Sequence, residues 1–483
     1  MKTLVIDVGT SGLRSAIVHD NGSVTDLHYE AFTPSTPASG LVEFDAVELY
    51  NAVKRVCIAT IGSQKIDSVG ITNQRASTIV WDSTTGLPIS PAIGWQDLRT
   101  VGDCIMARME HGLAFAPNQS ATKLSWILKN AASHVDVSTL RFGTVDTWLV
   151  WKLTHGESHV TDHTNAAVTG LSIPAGTQWN DSILTTLGIP RDCMPQIVPS
   201  AGLCGVARDL PGQPPIMALA GDQQASLVGQ GCITAGLAKI TFGTGGMLDV
   251  FIGNKAPDQA QRHTHGTFPI VAFSDSSGVN YGTEGIMLSA GTNIEWLRDD
   301  MGLISSAEES HDIASSVATT DGAVYVPALL GLGTPAWDYG ARGAFFGITR
   351  GTTKAHMVRA VLEGVAHRGV DLIDAAEADT GISISDVRID GGMSRNPTFV
   401  QALADAAQRP IRVSQMTEAT TLGAGFLAGT AAGQWSHLSE ACSTLSWAAT
   451  VHPLGNPGVS RQQWSEAVSR SRSWIPDLSA LDF

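Results

Sequence analysis

Four short segments of this chain carry the residue types that phosphoryl chemistry needs. Asp7-Val8-Gly9-Thr10-Ser11-Gly12-Leu13-Arg14 lies between two strand-like stretches. A turn of Gly, Thr and Ser exposes several backbone N–H groups and two hydroxyls, which makes a nest for a polyphosphate. Asp7, at the end of the preceding strand, is placed to hold Mg²⁺, an ion that takes one or two carboxylates plus phosphates. Thr241-Phe242-Gly243-Thr244-Gly245-Gly246 repeats the form. An ordinary hairpin would carry the same residues. Two such turns, each opening a domain, point to a nucleotide clamped between paired phosphate hairpins. The chain has no G-x-x-x-x-G-K-[ST] run, so a P-loop is excluded.

The third segment is Ala220-Gly221-Asp222-Gln223-Gln224-Ala225. A carboxylate after Gly at a cleft edge suits a base that accepts a hydroxyl proton during phosphoryl transfer. A helix N-cap would also explain Asp222, and the two roles are compatible because a cap holds the carboxylate in place. The fourth is Val387-Arg388-Ile389-Asp390-Gly391-Gly392-Met393. A strand ending in Gly-Gly lets a flat ring such as adenine approach the backbone, though a plain strand-to-helix turn has the same sequence. Gly331-Leu332-Gly333-Thr334-Pro335-Ala336 imitates a dinucleotide fingerprint, but no helical stripe follows it, so it reads as loop. His263-Thr264-His265 lacks a third ligand at metal spacing.

These turns need strands and helices to hold them. Residues 3–7, 14–19 and 24–30 read as consecutive strands, followed by a helix over 46–61 and a strand at 68–72. Asp45 is its predicted N-cap, with Glu48 as the reciprocal capping-box partner. The same grammar restarts with strands at 237–242 and 247–252. A helix at 285–298, a strand at 323–327, a long helix at 354–376 and a strand at 387–390 follow. A helix from Pro397, a strand at 411–414 and a helix at 418–433 complete it. The predicted organisation is α/β, with one domain over 1–229, a second over 230–435 and a helical tail over 436–483.

Composition supports this outline. The chain has 483 residues, 43% of them apolar, which is too long for one core and too apolar for disorder. Its net charge of −15 disfavours a nucleic-acid partner, since no basic footprint meets the phosphates. No apolar run approaches a membrane span, the first residues read as a strand rather than a signal peptide, and the six cysteines form no C-x-x-C. A cytoplasmic protein with reduced thiols and no membrane association is expected.

Together these motifs resemble the actin-like ATPases and, within them, the FGGY carbohydrate kinases. Gly343-Ala344-Phe345-Phe346-Gly347-Ile348, His356-Met357 and Ala360-Val361-Leu362-Glu363 are similar to the family's C-terminal signature, and Lys123-Leu124-x-Trp126-Ile127 to much of its N-terminal one. Ile71-Thr72-Asn73-Gln74-Arg75, Trp95-Gln96-Asp97-Leu98-Arg99-Thr100, Phe142-Gly143-Thr144-Val145-Asp146-Thr147-Trp148 and Gly221-Asp222-Gln223-Gln224-Ala225 resemble the glycerol kinase branch. The resemblance runs from residue 3 to about 435. It implies two actin-like (ribonuclease H-like) domains, each a mixed sheet flanked by helices, around an interdomain cleft.

The resemblance also implies roles. Asp222 would be the catalytic base, with Asp7 and Asp222 holding Mg²⁺. ATP would meet Thr10, Ser11, Gly12 and Arg14 on one side, and Gly243 and Thr244 on the other. Gly291, Glu295, Gly392, Met393 and Asn396 would lie around the adenine. Arg75, Ala76, Trp95, Asn118 and Gln223 would line the substrate pocket. Two of these depart from glycerol kinases, which have Glu at the position of Ala76 and Tyr at that of Asn118. A pocket that loses a carboxylate and a bulky wall should take a polyol or sugar larger than glycerol. The family's fructose-bisphosphate loop is not visible in Asp209-Leu210-Pro211-Gly212-Gln213-Pro214. The expected function is ATP-dependent phosphorylation of a primary hydroxyl on a small polyol or sugar, by a protein that can form a homodimer. The competing expectation is a weak kinase homologue serving as an ATP-dependent binding or regulatory module.

Overall fold

The computed structural model describes residues 1–132, 135–416, 418–455 and 458–481. Two large mixed sheets organise it. The first uses β1 (Lys2–Val8), β2 (Gly12–His19), β3 (Val24–Ala31), β4 (Ser68–Asn73), β5 (Ala201–Val206) and β6 (Pro215–Gly221), in the order β5-β6-β4-β1-β2-β3. The second uses β7 (Leu237–Phe242), β8 (Gly246–Gly253), β9 (Phe268–Asp275), β10 (Gly278–Met287), β11 (Asp386–Asp390), β12 (Ile411–Ser414) and β13 (Trp447–Val451), in the order β9-β10-β8-β7-β11-β12-β13. Each domain opens with an antiparallel hairpin, β1–β2 or β7–β8, whose first strand pairs in parallel with a later one, β4 or β11.

The parallel strands explain the apolar runs. Leu4, Val5, Ile6 and Val8 of β1 are all buried, because elements cover both faces of the sheet. On one face lies α1 (Ala46–Ile61), whose Leu49, Val53, Val56, Cys57 and Ile61 are buried in the N-terminal core. Asp45 caps α1 through the backbone N–H groups of Val47 and Glu48, at 2.8 and 3.0 Å. The predicted reciprocal capping box is not formed. Glu48 instead accepts a 2.7 Å hydrogen bond from Arg55 two turns along, since an arginine offers a charged partner on the exposed face.

Two helices carry the interdomain contact. The helix α2 (Asp222–Gly229) follows β6, and α3 (Ala419–Ala431) comes from the C-terminal half. A Cβ on Gly229 would lie 1.8 Å from the Ala419 carbonyl oxygen, and one on Gly423 would lie 1.8 Å from that of Ala225. Only glycine permits this approach. The helix α3 also lies on the N-terminal sheet, where a Cβ on Gly70 would come within 2.6 Å of the Ala424 carbonyl. Leu422, Ala424, Phe426 and Leu427 share one core with Val5, Val18, Ala218 and Ala220.

Two further sequence expectations change. The stretch read as a helix over 285–298 begins inside β10, which pairs along β8 with Leu248 opposite Gly285. Helical backbone is confined to Thr292–Glu295 and a π-helical turn at Trp296–Asp300. Pairing with β8 captures Gly285, Ile286 and Met287 as strand, overriding local helical preference. The segment read as a helical tail holds helices at Leu438–Cys442, Arg461–Ser471 and Pro476–Ser479, but also the strand β13. Trp447 anchors that strand beneath the guanidinium groups of Arg388 and Arg412. Residues 331–336 form loop, as expected from the missing helical stripe. Among the described residues no helix is long and apolar enough to cross a membrane.

Candidate active site

The chemistry-bearing residues cluster where open α/β sheets bind ligands, beyond the carboxyl ends of their parallel strands. Asp7 ends near the tip of β1, Arg75 follows β4, Asp222 follows β6, Gly243 follows β7, and Gly391 follows β11.

Asp222 is the first residue of α2, and its Oδ1 accepts the Gln223 backbone N–H at 2.8 Å. Its side chain keeps 27% exposure, so it is open to a substrate. Burial raises its pKa, against the opposing pull of Arg75. The Arg75 Nε lies 3.5 Å from Asp222 Oδ1, while its Nη1 lies 2.7 Å from Glu284 Oε2 on β10. Gln223 Oε1 accepts a 2.6 Å hydrogen bond from Lys239 Nζ on β7. Arg75 and Gln223 are therefore both held by the opposite domain.

Trp95 sits near the substrate-side residues and the N-terminal phosphate turn. Its indole N–H donates to Thr10 Oγ1 at 3.1 Å. The carbonyls of Gly94 and Trp95 accept from the buried Lys123 Nζ at 2.8 and 2.9 Å. Ala76 is buried and takes a left-handed backbone, φ 60°. Its carbonyl accepts from Ser120 Oγ at 3.0 Å and Thr78 Oγ1 at 3.2 Å, which fix the turn. Asn118 is exposed in the turn just before Ser120, so the Ser120 bond brings that turn beside the Arg75–Ala76 loop.

The two glycine hairpins differ in support. In the first, the Gly9 N–H donates to the Gly12 carbonyl at 2.9 Å, Gly12 lies under the Tyr29 ring, and Ser11 is exposed. Asp7 accepts from Thr421 of α3 at 3.0 Å and lies 3.7 Å from Arg14, which also pairs with Glu418. In the second, Thr244 is exposed, and its carbonyl accepts from the Ala290 N–H at 2.9 Å. The Gly291 N–H donates to the Gly243 carbonyl at 2.8 Å, and a Cβ on Gly291 would lie 2.6 Å from that oxygen. Gly291 is thus packed against the turn.

Of the expected adenine residues, Glu295 is exposed and Met393 is buried. Gly391, at φ 86°, has no room for a side chain, because a Cβ would meet the Phe242 carbonyl oxygen at 2.4 Å. Gly392 faces open space. A cavity of about 520 Å³ opens there, lined by Gly392, Arg395, Gln415 and Glu418 among others. Asn396 caps the next helix, Pro397–Ala407, by accepting from the Phe399 N–H at 3.1 Å, and donates to Ser310 at 2.9 Å.

Asp7 bears on a metal. Burial pushes its pKa up to about 6 against the pull of Arg14, and the nearby Asp222 carboxylate raises it further. A buried carboxylate whose proton affinity a second carboxylate raises fits a divalent cation shared with it. Among the described residues no cluster of three acidic, His or Cys side chains could hold a metal alone. Such a site would take its remaining ligands from phosphate and water, the habit of Mg²⁺.

Sequence reasoning passed over Glu284, Lys239 and Asp249. Lys239 and Asp249 form a fully buried ion pair at 2.7 Å, and burial holds the Asp249 carboxyl up to about 7 despite Lys239. The available signal was a single charged residue inside each of three strands.

Comparison with known proteins shows the family. Residues 2–229 match the FGGY family of carbohydrate kinases, N-terminal domain, and residues 238–432 match its C-terminal domain. The glycerol kinase of Shewanella oneidensis is 39% identical, over 97% of this chain and 99% of that protein. A crystal structure of Plasmodium falciparum glycerol kinase with ADP superposes with a TM-score of 0.91 at 29% identity, over 97% of this chain and 98% of that one. The xylulose kinase of Lactobacillus acidophilus, 23% identical over 97% of each chain, shares the fold at a TM-score of 0.85. The chain belongs to the FGGY family of carbohydrate kinases. It is an ATP-dependent kinase of a polyol or sugar, with the two actin-like domains that the motifs led us to expect. Nothing favours the competing role as a binding or regulatory module.

Proposed function

We propose that this kinase transfers the γ-phosphoryl group of ATP to a primary hydroxyl of a polyol or ketose larger than glycerol, with Asp222 as the base. The observation that carries the reading is the side-by-side placement of Asp222 and Arg75 at the cleft, 3.5 Å apart, with the Asp222 side chain still open. A free alcohol hardly ionises at neutral pH, so Asp222 takes its proton as the bond to phosphorus forms. Arg75 and Gln223 orient the hydroxyls, and the Trp95 ring forms a wall beside them. The Gly9–Gly12 and Gly243–Gly245 turns offer N–H groups and the Thr10 and Thr244 hydroxyls to the phosphates. Arg14 adds positive charge next to Asp7. A Mg²⁺ ion held by Asp7 and Asp222 would supply neutralisation of phosphate charge. Approach of the domains about the Gly229–Gly423 contact excludes water and limits idle hydrolysis.

Substrate size rests on Ala76 and Asn118. A buried methyl at the first position has no acceptor for a hydroxyl, and the exposed amide at the second both donates and accepts. The net negative charge and the reduced-thiol chemistry suit the cytoplasm. ADP release measured with ATP over a panel from glycerol to five-carbon polyols and ketoses tests the reading. Turnover highest on a substrate longer than glycerol is expected. A clear preference for glycerol over every larger compound would overturn the size argument.

A further inference from the structure

Three charged side chains form a row across the C-terminal sheet. Lys239 of β7 is the register partner of Asp249 on β8, and Asp249 is the register partner of Glu284 on β10. Directly opposed residues point to the same face. This face meets the N-terminal domain beside Arg75 and α2. At one end of the row Glu284 touches Arg75 at 2.7 Å, and at the other Lys239 touches Gln223 at 2.6 Å. Arg75 in turn stands 3.5 Å from Asp222, the chain neighbour of Gln223. These contacts, with the register pairing of Asp249 and Glu284 and the chain bond from Gln223 to Asp222, close a ring: Asp222, Arg75, Glu284, Asp249, Lys239, Gln223 and back to Asp222.

The geometry within this ring is asymmetric. Arg75 is shared between two carboxylates, and the closer one is Glu284, on the opposite domain. Glu284 is 7% exposed as a side chain, too enclosed to serve a surface role, and Lys239 and Asp249 are fully buried. An arginine given one carboxylate alone settles on it with parallel, charge-assisted hydrogen bonds. Here that carboxylate would be Asp222, and such a pair would occupy the oxygens that must receive the substrate proton.

We propose that Glu284 is a positioning residue for phosphoryl transfer: it draws Arg75 away from Asp222, so that the base stays free for the substrate hydroxyl. Asp249 beside it is paired with Lys239, and Glu284 is paired with Arg75. Because Glu284 belongs to the C-terminal domain and Arg75 to the N-terminal one, the base is released only when the domains stand at this separation. The inference rests on the reading of Asp222 as the base.

The test is a double-mutant cycle read by steady-state kinetics on the best polyol or ketose of the panel. Glu284→Gln keeps the shape and removes the charge. It is expected to lower kcat at least tenfold, with KM for ATP within about twofold and the far-ultraviolet spectrum unchanged. In the Asp222→Asn background the same change is expected to cost less than twofold, because there is no base left to release. Unchanged kcat in the single variant, or a full tenfold loss in the Asp222→Asn background, would overturn the proposal. If Glu284→Gln does not fold, Glu284→Asp carries the same cycle, since its shorter arm also withdraws the carboxylate from Arg75. Normal turnover in Asp222→Asn alone is a separate failure, and it removes the base rather than its positioning.

Discussion

The Trp95 indole N–H donates a 3.1 Å hydrogen bond to the Thr10 hydroxyl, so a residue of the substrate side holds a residue of the phosphate turn. Trp95 is itself anchored, because Lys123 binds its carbonyl and the Ser77 hydroxyl accepts from its N–H at 3.2 Å. Trp95→Phe would keep an aromatic wall and lose only the donor. A neutral hydrogen bond contributes about 0.5–1.5 kcal/mol, so a roughly twofold to tenfold rise in KM is expected. That rise should appear for ATP as well as for the polyol. An effect on the polyol alone would show that Thr10 keeps its orientation without the indole.

Asp222→Asn is expected to cut turnover by roughly 10²–10⁴, the usual worth of a positioned base. ATP affinity, measured by calorimetry without the polyol, should change little if the phosphate turns supply most of the binding. Near-normal turnover would remove Asp222 from the chemistry.

Ala76→Glu combined with Asn118→Tyr should raise kcat/KM for glycerol relative to the preferred substrate. A hydrogen bond to a charged group is worth about 1.5–3 kcal/mol, or roughly tenfold to a hundredfold. The left-handed backbone at Ala76 does not stand in the way, because that strain is already present in the wild type. Relative rates on glycerol and the longer substrates, unchanged in the double variant, would refute the pocket assignment.

Lys123 makes stability depend on alkaline pH. Burial pushes its pKa down to about 7 from an ordinary 10.5. Its two acceptors, the carbonyls of Gly94 and Trp95, match the two N–H donors of a neutral amine. Between about pH 7 and 10 the unfolded chain therefore holds a proton that the folded chain does not, and stability rises with pH. The slope is at most about 1.4 kcal/mol per pH unit from this one group. Lys123→Met should lose that slope, so its deficit against the wild type should be larger at pH 9 than at pH 7. Denaturant melts at the two pH values decide it.

Asn396 separates a structural from a binding role. Its side chain caps the helix Pro397–Ala407, so Asn396→Ala should cost about 1 kcal/mol of stability. Asn396→Ser restores a capping oxygen. If adenine is also held here, KM for ATP should rise in both variants, while only the alanine loses stability.

The two glycine turns were legible because they are local. Gly9-Thr10-Ser11-Gly12 and Gly243-Thr244-Gly245 each advertise a hairpin through the residues a tight turn demands, and the strands beside them are apolar runs buried on both faces. Asp222 after Gly221 was readable for the same reason, as a helix start following a strand. The helix expected over 285–298 failed where local preference met sheet pairing: β8 claims Gly285, Ile286 and Met287. Whether Glu48 would reach back to the Asp45 backbone N–H or turn to Arg55 depended on which partner the exposed face of α1 offered.

Sequence alone determined that there are two α/β halves, each with a phosphate-type turn, and which carboxylate follows the last N-terminal strand. Those features depend on residues adjacent in the chain. Tertiary structure decided that Glu284 would meet Arg75, that Lys239 would meet Gln223, and that α3 would lie on the sheet of the other domain and bring Thr421 to Asp7. A lone glutamate within a strand carries no sign of its partner. Its direction is set by the register of three strands, and its neighbour by how closely two glycine-bearing helices let the domains approach.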